Sequence, residues 1–224
     1  MPGGLHPSPN LFARFLYFFF YLIYEPLAWS YDLVAWVVSL GRWKSWVYNT
    51  LPELSGPRVL ELGHGPGHLQ IALHKKDIQG FGIDRSAPMG RLAHRRLTTA
   101  ELTPNLVRAV AEHLPFPPHA FDQIVATFPS EYIVRPAVLA EARRALTEVG
   151  KLVILPVAWI RGSRLWDRAA AWLFHVTGQA PNWNTHFSDP LRAAGFSVEE
   201  RPIELPGSEV MLIVGNKSVN HLVS

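Results

Sequence analysis

Glu61-Leu62-Gly63-His64-Gly65-Pro66-Gly67-His68 places glycine at every second position three times, directly after a short apolar run that carries an acidic residue. Glycines so spaced let the backbone turn tightly and approach a ligand closely, and a helix beginning just after them aims its first N–H groups at that ligand. The spacing argues against two common phosphate binders. A dinucleotide fingerprint needs a sixth-position glycine where this chain has His68, and a P-loop needs a Gly-Lys-Ser/Thr that is absent here. Glu61, two residues ahead of the first glycine, suits a ligand bringing an ammonium or sulfonium group rather than a pyrophosphate. Asp84 closes the next apolar run, where open α/β sheets use a carboxylate to take both ribose hydroxyls; its structural alternative is an N-cap for the helix that follows. His64, inside the loop, is either a hydrogen-bond donor within it or a titrating group near the reacting centre.

Other chemistries find no support. The ten histidines show no H-x-x-H or H-E-x-x-H spacing and there is no cysteine, so no metal, disulfide or thiolate nucleophile is expected. Hydrophobic residues make up 48% of the 224 and charged residues 17%, which excludes a disordered chain. The 21 basic against 18 acidic residues are a small excess beside what nucleic-acid binders carry, so no nucleic-acid partner is expected and anionic lipid fits the charge equally well. Arg91, Arg95 and Arg96 with His94 read as a solvated helix face.

The elements that must hold the loop are short apolar runs alternating with helical periodicity. Arg58–Leu62, Gly80–Asp84, Phe121–Thr127 and Lys151–Leu155 read as buried strands of a parallel sheet wrapped by crossovers, and Phe196–Pro202 with Ser208–Gly215, joined at Pro206-Gly207, as an antiparallel hairpin closing it. The fold class is therefore α/β and Rossmann-like, a mostly parallel sheet with a terminal hairpin.

Glu-x-Gly-x-Gly-x-Gly followed by Gly82-Ile83-Asp84 resembles the class I S-adenosylmethionine-dependent methyltransferases, whose sheet has seven strands. Gly82-Ile-Asp-Arg-Ser-Ala-Pro-Met89, Ala111-Glu-His-Leu-Pro-Phe-Pro117, Ala120-Phe-Asp122, Glu141–Leu146, Gly150–Leu155 and Ala194-Gly-Phe196 look like the quinone-biosynthesis and phospholipid N-methyltransferase branch, over roughly residues 55 to 215. The resemblance implies S-adenosylmethionine as cofactor and S-adenosylhomocysteine as product. Glu61, Gly63, His64, Gly65 and Gly67 would then face its methionine part and Asp84 the ribose, with Arg85 beside it. Met89 and the Ala111-Glu112 pair would meet the adenine, and Thr127 would lie at the end of the fourth strand. The family usually has aspartate just before that Ala-Glu pair. This chain has Val110, so adenine contact would come from backbone or a neighbouring side chain. Tyr31-Asp32 resembles a Tyr-Asp pair whose tyrosine folds over the cofactor, and Phe128-Pro-Ser-Glu131-Tyr132 lies where acceptors approach; Tyr31 and Tyr132 are the candidate catalytic residues. Each has a plain alternative, a packed lid tyrosine and a β-to-α turn.

Residues 1–54 form an N-terminal unit and 55–224 the cofactor-binding domain, with a helical insertion at about 157–190. Fourteen of the 26 aromatic residues fall between Phe12 and Tyr48. Glu25-Pro26 breaks the apolar run too early for a membrane span. Two short helices, about 10–24 and 27–40, remain, either a lid on the core or a membrane-interface anchor flanked by Arg14, Arg42 and Lys44, with a homodimer interface as a third use. Arg161, Arg164 and Arg168 recur at helical spacing in the insertion, to complete an acceptor pocket, touch lipid or simply dock. The expected protein is cytoplasmic, peripheral at the inner face of the membrane. Its favoured acceptor is a phospholipid headgroup amine. The alternatives are a quinone precursor or small aromatic methylated at carbon or oxygen, and a non-catalytic cofactor-binding interaction protein.

Overall fold

A computed structural model describes residues 35–36, 39–161 and 187–217. In it β1 (Arg58–Leu62), β2 (Gln79–Asp84), β3 (Leu106–Arg108) and β4 (Phe121–Thr127) run parallel. β5 (Leu146–Ile160) joins β4 in parallel and β7 (Ser208–Lys217) in antiparallel fashion, and β6 (Phe196–Leu205) pairs with β7 at the edge. The order among the described residues is β3-β2-β1-β4-β5-β7-β6, a seven-stranded sheet. The direction of chain progression reverses between β1 and β4, and in open α/β sheets ligands bind at that switch, beyond the carboxyl ends of the strands.

The helices α1 (Trp43–Tyr48), α2 (His68–His74), α3 (Ala87–Thr99), α4 (Pro136–Ala145) and α5 (Asp189–Ala193) accompany the strands. Strand residues alternate faces, and here both faces are covered, so the runs are apolar throughout. Val59, Val125, Val153 and Val214 join α1 and α2 in one core cluster, whereas Leu60, Ile124, Leu152 and Ile213 join α4 and α5 in the other. Glu61 shares the face of Val59, and so lies on the α2 side of the sheet.

The fifth strand runs further than expected. Val157–Ile160 are not part of an insertion: β5 continues through them, its register against β7 shifting between Ile154 and Val157, where Pro156 can forgo its ladder bond. Within the expected N-terminal unit, α1 and Leu54 reach the domain core. Trp46, with no exposed surface, packs among Leu54, Val59 and Val210, and its indole N–H donates to Ser208 Oγ at 3.0 Å. Tyr31, Arg14, Arg164, Arg168 and the two anticipated aromatic helices, apart from residues 35–36 and 39–40, lie outside the described residues. No helix among the described residues is long and apolar enough to cross a membrane.

Candidate functional site

The glycine loop runs from the end of β1 to α2. Gly63, Gly65 and Gly67 have φ of +74°, +49° and +82°, a left-handed backbone that side chains with a Cβ resist. Their surroundings differ. A Cβ on Gly65 would meet nothing within 4 Å, one on Gly63 would meet the Tyr132 hydroxyl at 3.1 Å, and one on Gly67 would press on Ala93 of α3 at 3.0 Å. Gly65 alone of the three thus borders open space, while Gly67 serves the α2–α3 packing.

The Asp84 carboxylate binds this loop. Oδ2 accepts from the Gly65 N–H at 2.9 Å and Oδ1 from the Ser86 N–H at 2.8 Å. Ser86, not Asp84, caps α3, its hydroxyl accepting from the Met89 N–H at 3.3 Å. Each carboxylate oxygen keeps a lone pair beyond these bonds, so the group can still receive hydroxyls.

Glu61 is buried under the loop, and Gln70 Nε2 of α2 donates to it at 2.7 Å while also reaching the Phe81 carbonyl at 3.2 Å. Burial pushes its carboxyl from 4.5 up to about 8 against the pull of the Gln70 bond, and the Asp84 charge pushes the same way. Placement at the loop is as expected, but the acid is covered and largely protonated at neutral pH. His64 is also buried. Its ring lies on Gly82 of β2, where a Cβ would come within 3.0 Å of it. Nδ1 sits 2.8 Å from the Gly65 carbonyl, which can only accept, so that nitrogen carries the proton. Burial lowers the His64 pKa although Asp84 pulls it up, which keeps the ring neutral. This is the geometry of a loop donor.

On the adenine side, Met89 has no exposed surface and Ala111 is buried, so in this structure Met89 is a core side chain rather than an open platform. Glu112 pairs with Arg135 at 2.9 Å, its carboxyl held below the usual range by a backbone N–H and then by the guanidinium. Val110 is 38% exposed, and the Ala109 N–H beside it donates to the Asp84 carbonyl at 3.2 Å. Arg85 is exposed, and its carbonyl accepts from Arg108 Nε at 3.0 Å. Thr127 ends β4, half-buried, and the turn after it brings Tyr132 back over the loop, where its hydroxyl donates to the Leu62 carbonyl at 3.3 Å.

Several contributors escaped the sequence. Arg96, expected on a solvated face, inserts its guanidinium against the Pro66 carbonyl at 2.6 Å, bracing the loop from α3, while Arg91, His94 and Arg95 are exposed. Gln70 had no signal beyond an amide on a helix next to a buried acid. Phe128 has φ +48° and stacks on Trp43 with ring centroids 4.2 Å apart.

An open cradle at Gly65, braced by a ribose-competent carboxylate at the end of β2 and flanked by Tyr132 beyond β4, fits S-adenosylmethionine, and the strand order with its inserted β7 is that of the class I S-adenosylmethionine-dependent methyltransferases. Residues 59–150 match the family model described as methyltransferase domain. Curated relatives of the chain include demethylmenaquinone and ubiquinone/menaquinone C-methyltransferases. It is 32% identical over 139 residues to the demethylmenaquinone methyltransferase of Thermotoga maritima, 59% of each chain, and 27% identical over 210 residues to the ubiquinone/menaquinone biosynthesis C-methyltransferase UbiE of Rhizobium rhizogenes, 88% of this chain and 81% of that one. The match thus spans less than two thirds of the Thermotoga relative. Among solved structures, an S-adenosylmethionine-dependent methyltransferase of Thermotoga maritima, described as a possible histamine N-methyltransferase, aligns with TM-score 0.61 and 21% identity over 88% of this chain and all of that one, a likeness of fold.

Proposed function

We propose that the chain methylates a ring carbon of a quinone precursor. The observation that carries this reading is the naming of its curated relatives, demethylmenaquinone and ubiquinone/menaquinone C-methyltransferases. They favour the alternative acceptor over the phospholipid amine first expected, which the 21% identical fold neighbour does not rescue. S-adenosylmethionine, when bound, supplies a methyl group already activated on a sulfonium. The chain's part is then to orient and desolvate. Asp84 would take the ribose hydroxyls while its other lone pairs hold Gly65 and Ser86; the bare Gly65 backbone would border the methionine part; Tyr132 would bound the acceptor side. Glu61 would stabilise a nearby cation only after losing its proton, and Glu112, already paired with Arg135, would shape the adenine side.

An apolar acceptor of this kind gives the N-terminal aromatic segment a use as a peripheral membrane contact, testable by vesicle flotation of the full chain. The acceptor itself is tested by incubating the full chain with methyl-labelled S-adenosylmethionine and either a reduced short-chain demethylmenaquinone or phosphatidylethanolamine vesicles. Label is expected on the quinol ring. Label in the lipid, or in neither, refutes the proposal.

A further inference from the structure

We propose that Trp43 and Phe128 act as a positioning pair, a stack that holds the turn after β4 so that the Tyr132 hydroxyl stays over Gly63. Phe128 follows Thr127 directly. Its φ of +48° lies in the left-handed region, uncommon for a non-glycine residue and strained for a bulky one, and such a conformation persists only when its surroundings over-determine it. Here they do so from three sides. The Phe128 N–H donates to the Leu155 carbonyl at 2.7 Å, its ring stacks on Trp43 at 4.2 Å and 28°, and Trp46 lies 6.1 Å away at a tilt of 54°. Trp46 is anchored in turn by its bond to Ser208 at the start of β7. The left-handed residue is what lets the ring turn back onto α1 while the chain goes on through Pro129 into the short 3-10 helix Glu131–Val134.

That helix presents Tyr132. Its hydroxyl reaches the Leu62 carbonyl at 3.3 Å and stands 3.1 Å from where a Gly63 Cβ would be, so the turn and the glycine loop touch at this point. The turn's own backbone bonds are few. Ile133 N–H to the Ser130 carbonyl at 3.3 Å and Arg135 N–H to the Tyr132 carbonyl at 3.0 Å hold the single helical turn. Its far end is anchored by Ile133, fully buried in the core, and its first residue is held by the Leu155 carbonyl and by the rings of α1, so α1 supplies the side-chain grip at the start of the turn. Trp43 on α1 thereby sets the acceptor side through Phe128.

The test is hydrogen exchange at the Ile133 and Arg135 amides in the full chain. Trp43→Ala is expected to speed both by about tenfold or more while β1 and β4 amides keep their protection, and Trp43→Phe, which keeps a ring to stack, is expected to return them toward wild type. Should Trp43→Ala fail to fold, Phe128→Gly substitutes for it, since glycine takes φ +48° without strain yet removes the ring. Unchanged exchange in the folded variants, acceleration spread evenly over the sheet, or no rescue by Trp43→Phe overturns the proposal. A second readout rests on the quinone reading. With a reduced short-chain demethylmenaquinone as probe, Phe128→Gly should raise the acceptor KM by about tenfold to a hundredfold and leave the affinity for S-adenosylhomocysteine unchanged; an equal loss of both overturns it. If wild type does not methylate the probe, the quinone reading fails and the exchange result alone decides the positioning role.

Discussion

Glu61 makes the stability of this domain depend on pH in a direction opposite to that of most carboxylates. Burial lifts its carboxyl from 4.5 to about 8. In the unfolded chain the proton leaves near the lower value, whereas the folded protein keeps it until the upper one, so across that window the folded state binds more protons and each unit of rising pH favours unfolding. The slope is about 1.4 kcal/mol per pH unit, so stability falls by several kcal/mol between pH 4.5 and 8 and levels off above. His64 works the other way: with its folded pKa lowered, the stability tied to its neutral ring is present above 6.5 and lost as the pH falls from there through the lower folded value. The wild-type curve is thus a sum of opposing terms, and the quantity to read is the difference between wild type and Glu61→Gln. The amide keeps the shape and can still accept from Gln70, yet does not titrate. Urea unfolding followed by tryptophan fluorescence at constant ionic strength should show the variant gaining on wild type from pH 5 to 8. Parallel curves for the two proteins would refute the reasoning and mean that Glu61 is solvated or already ionised.

Three further outcomes are expected. Asp84→Ala removes two charge-assisted bonds, one to the loop at the Gly65 N–H and one to the Ser86 N–H, together with the ribose acceptor, and should weaken S-adenosylhomocysteine binding in calorimetry by about 1.5 to 3 kcal/mol. Gly65→Val should fold, because open space surrounds that position, at a strain cost of about 1 to 2 kcal/mol in chemical denaturation, while calorimetry detects no cofactor binding. Trp46→Ala empties a fully buried site and orphans Ser208, so denaturation should show a loss of about 3 to 5 kcal/mol.

The strands at the centre were legible because a sheet covered on both faces writes itself as unbroken apolar runs. Arg58–Leu62 and Phe121–Thr127 occur with the anticipated limits, and β2 begins one residue early at Gln79. β3 was not individually legible: it has three residues, two of them exposed, and an edge strand so short carries no periodicity. The strand expected at Lys151–Leu155 runs from Leu146 to Ile160, because a register shift beside Pro156, which cannot donate to a ladder, lets it continue. The six residues of α1 are too few to display a helical stripe. An aromatic excess in sequence also does not say which rings are buried; Trp46 belongs to the core, whereas Trp36 is 62% exposed.

The glycine loop shows where legibility stopped at the site. Alternate glycines mark a backbone that must be left-handed, and at all three positions it is. Composition does not distinguish why. Ala93 on the neighbouring helix adds to the constraint at Gly67 and the Tyr132 hydroxyl at Gly63, whereas at Gly65, with no neighbour within 4 Å, the left-handed φ alone calls for glycine. The same holds for the acids. Glu61 and Asp84 both lie at strand ends beside the loop, yet one faces inward to Gln70 and carries a proton, while the other is half-buried and grips the loop at the Gly65 N–H. A motif thus identifies which residues meet, whereas their division of labour depends on what the next helix and the next strand bring against them. Tyr132, 69 residues beyond Gly63, is part of the same loop in space because a strained phenylalanine four residues before it turns the chain.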